Sequence, residues 1–142
     1  ARAYRASFPG GAPEPLLPEG IDPFLITADG QRILAKALDG TWQVWDLEGN
    51  TTPTPALGQD DVPIEWAAGE RAVIVASHAK VPAVLKLVDL AGGQRTTVAE
   101  YAPLDRAGLL FVRPRTWRDN GRQYAYDFYR RVSTLFLVTY ER

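Results

Sequence analysis

Trp117-Arg-Asp-Asn-Gly-Arg-Gln-Tyr-Ala-Tyr-Asp-Phe-Tyr-Arg-Arg-Val-Ser-Thr-Leu-Phe-Leu-Val-Thr-Tyr140 is the stretch whose reading decides the fold. Asn120-Gly121 is a turn signal, and Tyr124, Tyr126 and Phe128 alternate along a strand behind it. Arg130-Arg131 reads as a tight connection into a second strand through Leu135 to Tyr140. Aromatic and β-branched residues of this kind suit a pleated, half-buried surface.

Working upstream, the same plan occurs twice more. Pro23 to Thr27 is a strand, Asp29-Gly30 a hairpin turn, and Arg32 to Ala37 the returning strand. Asp39-Gly40 leads into Trp42 to Leu47, and Gly49-Asn50 into a Pro-broken, edge-like strand from Thr51 to Leu57. The plan restarts with Val62 to Trp66, Ala68-Gly69, Ala72 to Ala76, Val84 to Leu90, Gly92-Gly93 and Arg95 to Tyr101. Gly30 and Gly69 are 39 residues apart, and Asp46 and Asp89 are 43 apart. Four strands in a period of about 40–45 residues mark a β-propeller blade. At the start, Ala3 to Phe8 reads as a strand, Pro9-Gly10-Gly11 as a turn and Pro13 to Leu17 as an edge strand. Ala72 to Ala76 is apolar at every position, which suits a sheet covered on both faces. No segment keeps a helical period.

The expected fold is therefore all-β, with blades of four antiparallel strands, about three of them, forming part of a larger ring. Residues 1–20 would be the outer half of a blade, 21–58 and 59–102 whole blades, and 103–142 a terminal blade with an inserted loop, lacking its outer strand. A β-sandwich is the structural alternative. On this strand count the chain is the C-terminal part of its ring. The absence of an initiator Met suggests a processed or excised chain. Its start reads as a strand, and a targeting segment would lie upstream.

The repeats resemble those of TolB-type propellers, bacterial relatives of WD-repeat blades. The family's Ser-Pro-Asp-Gly-like turn has its counterpart in Thr27-Ala28-Asp29-Gly30, and, degraded, in Trp66-Ala67-Ala68-Gly69 and Trp117 to Gly121. A wider resemblance is to propellers attached to bacterial eukaryotic-type Ser/Thr kinases and transcriptional regulators. It rests on Gly10 to Leu16, Pro18 to Ile21, Asp61 to Trp66, Lys80-Val-Pro82, Val88-Asp89-Leu90, Ala102 to Gly108 and Tyr124-Ala-Tyr126 with Arg130 to Ser133. The resemblance implies a bacterial scaffold or sensor module. It leaves both an extracytoplasmic (periplasmic) and a cytoplasmic location open.

No catalytic constellation emerges. Ser7, Ser77 and Ser133 sit in no Gly-x-Ser-x-Gly elbow, and kinase loops of the Gly-rich, His-Arg-Asp and Asp-Phe-Gly types are missing. Ser77 and His78 are neighbours on a strand end, so they point to opposite faces. Zero Cys removes thiolate chemistry, and Asp60-Asp61 lacks a spaced third ligand and reads as a solvated turn. Asp46 and Asp89 read as side-chain caps of the turns that follow them. No catalytic residue, cofactor or metal is expected. The candidate partner surface is Arg130, Arg131, Trp42 and His78, with core packing the competing reading for Trp42.

The net charge of -1 argues against a nucleic-acid partner. The charge is unevenly placed: residues 1–105 hold 8 Lys/Arg against 14 Asp/Glu, and 106–142 hold 8 Arg against 3 acids. No apolar run approaches the roughly 20 residues of a membrane span, so no direct membrane insertion is expected. The partners expected are an unidentified protein or small ligand, and the rest of the ring or a second copy against exposed blade faces. Function is accordingly read as non-catalytic binding. The alternative is the propeller portion of a larger peptidase or protein kinase.

Overall fold

The computed structural model describes residues 2–77 and 81–134. Within them the chain is all-β, with a single 3-10 turn at Asp119–Gly121 and no helix long and apolar enough to cross a membrane. The strands are β1 (Tyr4–Arg5), β2 (Glu14–Pro15), β3 (Asp22–Ile26), β4 (Arg32–Lys36), β5 (Trp42–Asp46) and β6 (Thr51–Pro53). They continue with β7 (Asp61–Ala67), β8 (Ala72–Ser77), β9 (Ala83–Asp89), β10 (Arg95–Tyr101), β11 (Leu109–Arg118) and β12 (Gln123–Arg130).

Strands β3 to β6 form one four-stranded antiparallel sheet in chain order, and β7 to β10 form another. β1 pairs with β2, and β11 with β12. Local chemistry explains the connections. Asp29, Asp39, Asp46, Asp89 and Asp105 each accept the backbone N–H two residues on through Oδ1. This short-range bond turns the chain without help from the rest of the fold. Pro53 lies on β6, at an edge where its missing N–H costs no ladder bond. The opening strand is shorter than the sequence suggests. Gly11 N–H bonds Ser7 O at 2.8 Å, so the turn begins before Phe8. The strand expected over Leu135 to Tyr140 lies outside the described residues.

The sheets pack face to face in chain order. Side chains alternate on a strand, so β4 sends Ile33 and Ala35 to one side and Leu34 to the other. Ile33 and Ala35 pack with Leu17, beside the β1–β2 pair. Leu34 packs with Trp42, Leu57, Val73, Val75 and Val88, closing the space between the two four-stranded sheets. β8 repeats the arrangement: its Ile74 and Ala76 join Leu85 on the opposite side, with Tyr101 and Trp117 against them. Each such aliphatic side chain contributes about 1.5–3 kcal/mol on full burial. Two central strands, β4 and β8, are thus buried on both faces. Along one side of the stack the first strands of three sheets run together, β3 against β7 and β7 against β11.

A groove along the first strands

The side-by-side first strands leave a groove with a cleft at each end, and Phe24 on β3 borders both. Phe24 meets Trp42 edge-on, ring centroids 4.8 Å apart, and stays 43% exposed toward the groove. The larger cleft, about 810 Å³, lies where the first strands turn into the second. Ile26, Ile64 and Trp66 supply apolar wall, and Glu65 and Arg118 supply charge. Glu70 at its rim is already used: it accepts Ala28 N–H at 3.0 Å and pairs with Arg32. That bond links the turns of two neighbouring sheets.

The smaller cleft, about 430 Å³, lies at the opposite ends of the same strands. Its floor is Phe24, Val62, Ala76, Val112 and Pro114, and Val112 is fully buried. Lys36, Asp60, Asp61, Arg113 and Arg115 also line it. Asp127 Oδ1 accepts Arg113 Nε at 2.9 Å, and its Oδ2 accepts Arg115 Nε at 2.7 Å. The bonds from Arg113 and then Arg115 hold the Asp127 carboxyl below the usual carboxylate range.

Asp61 corrects an expectation. Rather than a solvated turn residue, it is the buried first residue of β7. Burial pushes its carboxyl up, but hydrogen bonds from Arg95 and from Gly58 N–H outweigh this and leave it below the usual range.

The residues singled out as a partner surface do not come together. Trp42 is 3% exposed, shares a face of its sheet with Leu34, and donates Nε1–H to Gly58 O at 2.9 Å. Its place in the core corrects its placement on a binding surface. Arg130 is not in a tight connection either. It ends β12 opposite Leu109, and Nη1 donates to Asp105 Oδ2 and Nη2 to Asp105 O, each at 2.7 Å. The inserted loop engages that guanidinium. Arg131 is exposed and its N–H bonds Gly108 O at 2.8 Å, so the pairing with the β11 end continues past Arg130. His78 lies outside the described residues.

The groove residues were hidden in ordinary strand patterns. Arg113-Pro114-Arg115, charged residues around a Pro inside an apolar strand, was the one local signal available. Among the described residues no three His, Cys, Asp or Glu side chains gather as a metal site would. No family model matches the chain, and no curated protein or solved structure matches it.

Proposed function

We propose that the two four-stranded sheets are blades of a β-propeller and that the chain is a non-catalytic binding module. On this reading β1–β2 is the outer half of a preceding blade and β11–β12 the inner part of a following one. The observation that carries the reading is the parallel course of β3, β7 and β11 along one groove while their sheets stack face to face. Sheets arranged radially around an axis place their first strands in this way. The groove is concave, largely apolar and edged by a few charges, as small-ligand and peptide sites are.

Association with further blades or a second copy belongs to the same reading. Phe111 and Tyr129 stack at 5.6 Å, paired across β11 and β12, and Tyr129 is 56% exposed. The TolB-like resemblance and the bacterial scaffold role are part of the proposal.

The test is a fragment and short-peptide screen by amide NMR on the whole chain. Perturbations should gather on Phe24, Trp66 and Val112. Hits confined to the outer strands β6 and β10, or no hits from a broad library, would overturn the groove as the binding site.

A further inference from the structure

We infer that the smaller cleft takes an organic carboxylate with an apolar body; this rests on the groove being the binding surface. The inference starts from charge. Arg113 and Arg115 share one carboxylate, Asp127. Asp61 is matched by Arg95, which leaves Lys36 and Asp60. One positive charge therefore remains in excess around the cleft.

Donor geometry points the same way. Arg113 gives Asp127 only its Nε, so among the described residues both terminal nitrogens of its fork carry no hydrogen bond. Lys36 Nζ makes one hydrogen bond, to Gln59 O at 2.6 Å. A guanidinium edge of this kind matches the two oxygens of a carboxylate in a bidentate pair. Beside it, Phe24, Val62, Ala76 and Val112 offer an apolar floor that a bare inorganic anion would leave unused.

Asp60 sets the limit on ligand charge. It is exposed at the cleft and makes no ion pair among the described residues, so it disfavours a dianion more than a monoanion. The cleft volume falls within the roughly 300–1,000 Å³ of small-ligand pockets. A free arylalkyl acid or the C-terminal carboxylate of a peptide would present the same group.

The experiment titrates the full chain with phenylacetate, phenylacetamide and inorganic phosphate, followed by amide NMR. Phenylacetate should saturate shifts at Val62, Ala76 and Val112, with the amide at least about ten-fold weaker and phosphate giving no saturable shift. An acetylated dipeptide ending in Phe, with its C-terminal amide as control, separates a peptide source from a free acid. Arg113→Gln should weaken phenylacetate about ten-fold and leave the amide unchanged, while Arg122→Gln, outside the cleft, leaves both unchanged. Amide dispersion of each variant reports folding, and Arg113→Lys serves if Arg113→Gln loses it. Equal binding of acid and amide at these residues would overturn the carboxylate while leaving the groove in use. Absence of any shift with all probes would overturn the proposal too, and the fragment screen then decides the groove by itself.

Discussion

Arg95 on β10 holds Asp61 on β7 with both terminal nitrogens, Nη1 to Oδ1 at 3.0 Å and Nη2 to Oδ2 at 2.6 Å. Nη2 also donates to Ala56 O at 2.6 Å, and Gly58 N–H donates to Asp61 Oδ2 at 2.7 Å. The pair thereby fastens the link between the two four-stranded sheets, whose Leu57 is buried against Leu34 and Val73. Asp61 is buried and Arg95 about one-third exposed, so solvent screens the pair only in part.

Asp61→Ala should cost about 3 kcal/mol in urea melts, the low end for breaking a buried pair, because Arg95 keeps some access to water. Arg95→Met keeps the apolar stem but leaves the Asp61 carboxylate without its cation, and should cost a similar amount. A change near zero in both variants would show that the link holds without the pair.

The pH dependence follows with a fixed sign. Asp61 has its folded-state carboxyl below the unfolded value, so its contribution is present above about pH 4 and lost as pH falls through the lowered folded value. Urea midpoints should drop between pH 5 and pH 3 more steeply in the parent chain than in Asp61→Asn, by about the share this pair supplies. Parallel curves would remove Asp61 as a source of acid sensitivity.

Leu34 and Phe128 should respond differently to truncation. Leu34→Ala empties a fully buried site between two sheets and should cost about 3–5 kcal/mol. Phe128 is 47% exposed on β12 and tilts against Tyr126 at 6.5 Å, so Phe128→Ala should cost about half as much. Equal losses in denaturant would place other protein over Phe128.

Gly121→Ala should destabilise the β11–β12 hairpin by about 1–3 kcal/mol. Gly121 sits at φ 86°, and a Cβ there would run into the Trp117 ring. The Trp117 ring itself packs toward Ile74 and Leu85. Red-shifted tryptophan emission together with a lowered Tm would register the displaced ring. An unchanged Tm would mean that the turn relaxes freely.

Much of the strand layout was legible because its causes are short-range. Asp29, Asp39 and Asp46 turn the chain with bonds to residues two positions away, and Ala72 to Ala76 reads as buried on both faces from its own composition. Trp42 was ambiguous because a large aromatic on a strand serves a surface as well as a core. Leu34, Val44 and the Leu57 link settle which face it occupies. Arg130 looked like a turn residue until Asp105, 25 residues earlier, engaged its guanidinium.

The sequence by itself determined an all-β chain, two successive four-strand units and the turns between them, since strand period and turn bonding act over a few residues. Only the tertiary structure decided that Asp61 is buried on Arg95, 34 residues away, and that Phe24, Val62 and Val112 from three sheets border one cleft. Such groups meet through the stacking of sheets, whose long-range packing leaves no periodic mark on the chain.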